Sequence, residues 1–372
     1  MKNKFLYVYF NDKLVGTLAE NKDKKVLFQY DKNWQKNGFS INPFILPLTN
    51  EVFIPKKPYF DGLFGVFFDS LPDSWGRLLM DKYLKNNKLD YFTVLDKLSL
   101  ISSFGMGALE YKPEYKFDIT NVEIDLDEIA KKCKKLLVKD TINDLDQIFK
   151  LGGSSGGARP KILTKIENED WIIKFNNHID MKEIGLMEYE YSLCAKKVGI
   201  IMPETRLFES KKSKGYFGVK RFDRVNNRKM HMISVAALLE IDYRTPSLDY
   251  NDLMKLTKIL TNNQEDLLQM YKRMCFNVFS HNQDDHAKNF SYIYDEKQKV
   301  YRLAPAYDLT YSNTFYNEHT TTINGNGKNI TENDLIVVGK KAGLSVSLCK
   351  EIINEIRESV NKNLSKYIKE SA

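Results

Sequence analysis

The chain has 372 residues, a length typical of two or three domains. Of these residues 42% are hydrophobic and 28% are charged, a composition typical of a folded globular protein. Its net charge of +7 permits contact with nucleic acid, nucleotides or an acidic partner, and identifies none of them. No segment approaches the roughly 18 consecutive apolar residues of a membrane helix. The apolar stretch near the N-terminus is also too short for a signal peptide.

The four cysteines and five histidines argue against a Cys/His metal site or a disulfide framework. The cysteines lie far apart and form no C-x-x-C pair, and the histidines form no H-E-x-x-H motif. We therefore expect a protein of the reducing cytoplasm.

The first 112 residues are predicted to be rich in β-structure. Residues 5–10 and 14–18 are apolar runs on either side of an Asn-Asp turn, which predicts a β-hairpin. A helix is expected to begin at Pro72 or Asp73, because an apolar stripe with helical spacing follows them.

The rest of the chain changes character twice. Residues 113–125 are charged and poorly periodic, which is typical of a linker, and Leu126 opens a helical stripe. Beyond a Gly/Ser segment, the pattern predicts three strands, at residues 160–165, 171–175 and 216–222. It also predicts one helix among them, at residues 183–197. From residue 232 the pattern is mainly helical, and the last helix follows Gly343. This order predicts an α+β fold.

The strongest local pattern is NQDDHAKN at residues 282–289. Two adjacent carboxylates, Asp284 and Asp285, repel each other unless a cation lies nearby, so packing is a poor reason for their presence. The spacing from Asp284 to Asn289 equals that of the protein-kinase catalytic loop, where the Asp accepts a hydroxyl proton and the Asn binds Mg²⁺. The alternative is an ordinary turn rich in Asp and Asn.

A single carboxylate, Asp308, stands at the end of the strand-like segment LAPAYDL. Mg²⁺ prefers hard oxygen ligands, often one or two carboxylates completed by phosphate and water. Asp308 and Asn289 would together suit such an ion. The alternative is a turn residue at a strand end.

Residues 151–161 (LGGSSGGARPK) form a Gly/Ser segment whose backbone N–H groups and hydroxyls could wrap an anion. The segment matches no established phosphate-loop consensus, and a flexible linker is the alternative. The residues predicted to contact nucleotide are Ser154, Ser155, Gly156 and Gly157.

Lys174 interrupts an apolar strand, where an unpaired ammonium group is costly. It could reach nucleotide phosphates, with Glu188 or Glu190 of the next helix holding it. The alternative is a lysine at a strand edge. Further on, residues 219–224 form either a charged strand end or a linker strand whose backbone faces adenine. Taken in order, these parts follow the arrangement of a protein-kinase-like ATP site.

Through several of these segments the sequence resembles the HipA family of bacterial serine/threonine kinases, the toxins of HipBA-type toxin–antitoxin systems. The matching blocks run in family order and are DSWGR (73–77), GMGAL (105–109), GGARPK (156–161), RFDR (221–224), DDHAKNFS (284–291) and PAYDL (305–309).

The resemblance implies a protein-kinase-like two-lobed fold with a β-rich N-terminal subdomain (1–112), an N-lobe (113–225) and a helical C-lobe (226–372). It also implies ATP and Mg²⁺ as cofactors. The implied roles are catalytic base for Asp284; Mg²⁺ ligands for Asn289 and Asp308; phosphate contact for Lys174, paired with Glu188; a nucleotide contact for Lys288; and an adenine hinge for Arg221, Phe222 and Asp223.

The resemblance further implies self-silencing by phosphorylation of Ser154 or Ser155, because a phosphate of about −1.5 to −2 charges would repel nucleotide from the loop. Implied partners are a protein substrate such as an aminoacyl-tRNA synthetase, a helix-turn-helix antitoxin of HipB type, and DNA reached mainly through that antitoxin. The alternatives are a non-catalytic antitoxin-binding subunit of a DNA-bound repressor complex and a small-molecule kinase.

Overall fold

Two units make up the computed structural model of the chain, which describes residues 3–88, 92–115, 125–138, 145–177, 180, 183–314 and 316–369. The first unit is Met1–Gly185, Leu207–Ile233 and Ala237–Glu240, and the second is Leu186–Arg206, Ser234–Ala236 and Ile241–Ala372. Most of the predicted linker at 113–125 lies outside the described residues.

The first unit mixes strands and helices. Its strands are β1 (Phe5–Phe10), β2 (Lys13–Glu20), β3 (Val26–Tyr30), β4 (Leu109–Lys112), β5 (Lys161–Ile166), β6 (Glu169–Lys174), β7 (Thr205–Phe208, which begins in the second unit), β8 (Tyr216–Lys220), β9 (Arg224–Val225), β10 (Arg228–Lys229) and β11 (Met232–Ser234, which ends in the second unit). Its helices are α1 (Lys32–Asn37), α2 (Gly65–Phe68), α3 (Ser74–Asn86), α4 (Val94–Ile101), α5 (Leu126–Val138) and α6 (Leu145–Gly152).

The N-terminal sheet has the strand order β3-β2-β1-β4. Strand β1 pairs antiparallel with both β2 and β4, so the predicted hairpin is confirmed. Leu6, Val8 and Phe10 alternate along β1 and are buried, because successive side chains of a strand point to opposite faces. This alternation gives the sheet one core face.

The second sheet has the order β5-β6-β8-β7, and β6 pairs antiparallel with both β5 and β8. Its strands confirm the three strand-like segments predicted between residues 160 and 222. The sequence reading did not anticipate α6, the helix that leads directly into the Gly/Ser segment. Its apolar residues Leu145, Ile148 and Phe149 are buried.

Helix α3 begins where the sequence predicts, with Asp73 as its N-cap residue. It buries Trp75, Leu79 and Tyr83. The Tyr83 ring stacks on Phe149 of α6, with 4.5 Å between the ring centroids. Helix α3 therefore packs on α6.

The second unit is mainly helical, as predicted. Its elements are α7 (Ile184–Lys197, which begins in the first unit), α8 (Val235–Leu239, which ends in the first unit), β12 (Leu248–Asp249), α9 (Tyr250–Thr261), α10 (Gln264–Phe279), β13 (Ser291–Asp295), β14 (Val300–Leu303), β15 (Thr321–Thr322), α11 (Glu332–Ala342) and α12 (Val346–Lys369). Helix α10 packs against α9, α11 and α12. Within the described part of the chain, every helix is too short or too polar to cross a membrane.

Glu240 is a buried carboxyl group in the first unit, and its Oε1 atom accepts a hydrogen bond from the Gly65 amide at 2.6 Å. Burial raises the pKa of Glu240 to about 7. An acid whose folded-state pKa is raised binds more protons in the folded than in the unfolded state between about pH 4.5 and 7. The stabilisation that Glu240 contributes is therefore present at the acidic end of this window and is lost as the pH rises.

We expect the free energy of unfolding to fall by about 3 kcal/mol between pH 4.5 and 8 because of this one group. The Glu240→Gln variant should lose that part of the slope and become more stable than wild type at pH 8. Urea denaturation at the two pH values measures the difference. The exposed residue Glu51, changed to Gln, is the control. Equal slopes for wild type and Glu240→Gln would contradict the prediction.

Candidate active site

The Gly/Ser segment between α6 and β5 is held by specific hydrogen bonds. The Gly153 amide donates to the Phe149 carbonyl at 2.6 Å. The Ser155 hydroxyl donates to the Gly152 carbonyl, also at 2.6 Å. Ser154 and Ser155 are 5% and 1% exposed. The serines predicted to contact nucleotide thus lie inside the first unit.

The same segment lies directly on the N-terminus of α3. The Trp75 amide donates to the Gly157 carbonyl at 3.1 Å, and the Asp73 Oδ2 atom accepts from the Gly157 amide at 3.3 Å. A Cβ atom on Gly76 would lie 2.7 Å from the Ser155 carbonyl oxygen, which only glycine tolerates. Gly157 has a φ of +82°, a left-handed conformation that also favours glycine.

Two lysines stand opposite each other on neighbouring strands beside this segment. Lys161 of β5 and Lys174 of β6 are cross-strand partners, so their side chains share one face of the sheet. Lys161 is buried, and a Cβ atom on Gly157 would lie 2.6 Å from its Nζ atom. The pair thus places two positively charged side chains beside the Gly/Ser segment. The sequence pattern pointed to Lys174 but not to Lys161. Lys161 is identified by the pairing of the strands, which sets it directly opposite Lys174.

The RFDR block forms a buried ion cluster with a turn 116 residues earlier. Asp223 is fully buried and accepts from Arg221 Nε and Nη2 at 2.9 and 2.7 Å. It also accepts from Arg224 Nη1 at 2.9 Å and from the Gly107 amide at 2.7 Å. Both guanidinium groups donate in turn to the Gly105 carbonyl.

The electrostatics of the cluster follow from its burial. Burial opposes ionisation of Asp223, but the guanidinium groups of Arg221 and Arg224 outweigh it and hold the pKa of that carboxyl at about 2. Burial lowers the pKa of Arg224 to about 10. All three groups are therefore charged at neutral pH and depend on one another.

This cluster changes the interpretation of the predicted hinge. The side chains of Arg221 and Asp223 are used within the protein, and Phe222 between them is half-buried. A contact of this segment with adenine would come from the backbone or from the Phe222 ring. That role stays a prediction.

The two candidate partners for Lys174, Glu190 and Glu188, have different surroundings within the second unit. Glu190 lies 2.7 Å from Lys366 Nζ and accepts from the Tyr367 hydroxyl at 2.8 Å, so α12 engages it. Glu188 is 3% exposed on α7. Glu188 is thus the better candidate, and its pairing with Lys174 stays a prediction.

In the second unit, the loop after α10 presents Asp284 to solvent. Its side chain is 60% exposed, and His286 Nε2 lies 3.8 Å from Asp284 Oδ1. The Asp284 amide donates to Ser312 Oγ at 2.9 Å. The Asn289 side-chain amide donates to the Asp284 carbonyl at 2.6 Å. These contacts fix the loop backbone while the carboxylate stays accessible.

The neighbouring carboxylate, Asp285, is buried and makes its contacts within the protein. It accepts hydrogen bonds from the Tyr250 hydroxyl at 3.0 Å and the Thr321 amide at 3.0 Å, and it lies 2.9 Å from His319 Nδ1. The sequence argument that neither carboxylate serves packing is therefore wrong for Asp285. Its buried partners come from residues that are 34 to 36 positions away, which local spacing does not reveal.

A chain of amide side chains continues from Tyr250 to the predicted metal loop. Asn277 Nδ2 donates to the Tyr250 hydroxyl at 2.9 Å. Asn282 Nδ2 donates to Asn277 Oδ1 at 3.0 Å and to the Asp308 carbonyl at 3.4 Å. The structure thereby connects the segments that carry Asp284, Asn289 and Asp308.

Asp308 and Asn289 are the predicted cation ligands, and this role stays a prediction. Asp308 has a φ of +52°, a left-handed conformation that Asp adopts more readily than most residues. Because the Asn289 amide nitrogen is turned to the Asp284 carbonyl, the amide oxygen is the atom left to bind a cation. Among the residues that the structure describes, no group of three His, Cys, Asp or Glu side chains could hold a metal. Two protein ligands completed by phosphate and water fit Mg²⁺.

Lys288 lies within the same loop. Its Nζ atom is 4.9 Å from the centroid of the Tyr243 ring, and its carbonyl accepts from the Tyr307 hydroxyl at 2.6 Å. Lys288 is half-buried. Its predicted contact with nucleotide stays a prediction.

Comparison with known proteins identifies the family. Residues 6–112 match the family model of the HipA N-terminal domain, and residues 153–364 match that of the HipA-like C-terminal domain. The chain therefore belongs to the HipA family, as its motifs indicate.

Two relatives from Sinorhizobium fredii are named as candidate kinases. Y4dM is 25% identical over 212 residues, which cover 52% of this chain and 50% of Y4dM. Y4mE is 22% identical over 408 aligned positions, which cover 100% of this chain and 94% of Y4mE. The chain thus spans half the length of the first relative and nearly all of the second.

A solved structure shares the fold. It is HipA of a toxin–antitoxin system from Shewanella oneidensis MR-1, in complex with HipB and operator DNA. The TM-score is 0.73 at 18% identity, with 98% of this chain and 90% of that chain covered. The similarity shows a HipA fold of mixed helices and strands.

Proposed function

We propose that the chain is an ATP- and Mg²⁺-dependent protein serine/threonine kinase with a two-lobed kinase-like arrangement. The observation that carries the proposal is the loop at residues 284–289, where an exposed carboxylate sits on a backbone fixed by Asn289 and Ser312. This supports the proposal, because an accessible Asp on a fixed loop is the part of a kinase site that accepts the proton of a substrate hydroxyl. Membership of the HipA family supports the proposal.

Each unit has a distinct chemical task in this proposal. In the second unit, Asp284 orients a substrate hydroxyl and accepts its proton. The Asn289 oxygen and the Asp308 carboxylate hold Mg²⁺, which neutralises charge on the phosphates when it is bound. In the first unit, Lys161, Lys174 and the amides around Gly157 bind nucleotide phosphates.

We further propose a toxin–antitoxin role in the cytoplasm. The HipA of the Shewanella oneidensis structure is bound to HipB and operator DNA, and a HipB-type antitoxin is the corresponding partner here. DNA would be reached through that antitoxin. A translation component such as an aminoacyl-tRNA synthetase is the proposed substrate.

A lysate assay tests the proposed activity. The purified chain is incubated with Mg²⁺, ATP labelled at the γ-phosphate and a cell lysate, and a chain inactivated at Asp284 is the matched control. We expect label on a discrete protein in the first reaction alone. Label on a metabolite would indicate a small-molecule kinase instead. Absence of transfer would favour a non-catalytic subunit.

Self-silencing is the regulatory part of the proposal, with Ser154 as its expected site. The Ser155 hydroxyl is bound to the Gly152 carbonyl, and the family resemblance aligns Ser154 with the modified serine. We expect intact-mass spectrometry to find one added phosphoryl group on the active chain and on Ser155→Ala, but none on Ser154→Ala. A phosphate that persists on Ser154→Ala would contradict this assignment.

A further inference from the structure

Asp73 occupies the N-cap position of α3 without capping that helix. An Asp at this position normally accepts from the backbone amides of the first helical turn. Here its side chain makes no such bond, and the Oδ2 atom instead accepts from the Gly157 amide at 3.3 Å. The carboxylate is thus turned away from its own helix and toward the Gly/Ser segment.

The carboxylate lies against the neighbouring glycine as well. A Cβ atom on Gly156 would lie 3.1 Å from Asp73 Oδ2, which is closer than ordinary van der Waals contact. Asp73 therefore covers the backbone of both glycines that are proposed to bind phosphate. An anion already sits where nucleotide phosphates would be bound.

The surroundings explain why a carboxylate is stable at this place. Lys161 is buried with its Nζ atom beside Gly157, and it stands opposite Lys174 in the sheet. Two opposed ammonium groups require a negative partner. The Asp73 carboxylate, whose Oδ2 atom accepts from the Gly157 amide, places a negative charge at the same glycine.

We propose that Asp73 is a tethered competitor of the nucleotide and sets the nucleotide affinity of this site. This inference rests on the proposed function, since it assumes that the Gly/Ser segment binds phosphates. Nucleotide phosphates take over the Gly157 amide from Asp73, and the released carboxylate can then cap α3. The exchange costs affinity because a negative charge stays close to the bound phosphates.

Two variants separate the charge of Asp73 from its position. In Asp73→Asn the new side chain keeps an oxygen that accepts from Gly157 but carries no charge, whereas Asp73→Ala removes both. Asp61→Asn is the matched control, because Asp61 contacts Arg77 of α3 at 3.5 Å and makes no hydrogen bond with Gly156 or Gly157 that the structure shows. Asparagine also tolerates the φ of +53° at position 61.

Titration calorimetry with the Mg²⁺ complex of a non-hydrolysable ATP analogue tests the proposal on the full chain. We expect both Asp73 variants to bind about tenfold more tightly than wild type, as expected for removal of one nearby charge. Asp61→Asn should bind like wild type. Unchanged or weaker binding by Asp73→Asn would overturn the proposal and show that Asp73 merely holds the loop in place.

The same titration distinguishes this outcome from a failure of the proposed function. If wild type and all variants bind the analogue with equal affinity, the result supports the nucleotide site and contradicts only the proposed role of Asp73. If none of the proteins binds it while thermal melting shows that each is folded, the proposed nucleotide site is wrong and the inference falls with it.

Discussion

Replacement of Asp284 by Asn is expected to lower the rate of phosphoryl transfer by about 10²–10⁴-fold, the usual contribution of a general base. The Asn side chain has the same shape but does not accept a proton from the substrate hydroxyl. Both backbone contacts of position 284, with Ser312 and Asn289, are available to Asn. We therefore expect a loss of rate without a loss of fold.

The measurement is the rate at which the chain phosphorylates itself, followed by intact mass at saturating Mg²⁺ and ATP. Analogue affinity should stay within about threefold of wild type, because Asp284 holds neither phosphate nor metal in the proposed mechanism. Glu296→Gln, which removes an exposed carboxylate from the same unit, is the control. A variant that keeps the wild-type rate would remove Asp284 from the mechanism.

Replacement of Asp223 by Ala is expected to lower the free energy of unfolding by about 3–5 kcal/mol. The change leaves the buried guanidinium groups of Arg221 and Arg224 without their shared anion, and it leaves the Gly107 amide without its acceptor. A buried charge that loses its partner costs far more than the pair itself contributes. Urea denaturation of the two proteins at neutral pH measures the loss.

The chain contains a close control for this experiment. Asp242 accepts from Arg244 Nε and Nη2 at 2.8 and 3.1 Å, which is the same bidentate pairing two residues apart. The Arg244 side chain is 62% exposed, so water replaces the lost partner. Asp242→Ala should cost about 1 kcal/mol or less. Equal losses in both variants would show that burial does not decide the strength of the pair.

Much of the fold follows from patterns that are local in sequence. The hairpin at β1 and β2, the start of α3 at Asp73 and the strands β5 and β6 were predictable, since alternation, capping and helical spacing act over a few residues. The catalytic-loop spacing from Asp284 to Asn289 is local in the same way. Helix α6 was also within reach, because Leu145, Ile148 and Phe149 have helical spacing.

The parts that escaped prediction are contacts between distant residues. The bond from Gly107 to Asp223 spans 116 positions and the bond from Gly157 to Asp73 spans 84. A single sequence states which residues are charged, but not which distant group neutralises each of them. For the same reason nothing in the sequence indicated that Asp285 serves packing, although Tyr250 and His319 hold it in the core.

In the proposed mechanism Asp308 would meet two independent demands, and few other residues would satisfy both. Its left-handed backbone, with φ at +52°, is inexpensive for Gly, Asn and Asp and strained for most other residues. Cation binding adds the need for a negatively charged oxygen on a short side chain. Gly and Asn satisfy the backbone alone, and Glu satisfies the charge alone. Within the proposed mechanism, Asp is therefore the residue that satisfies both demands.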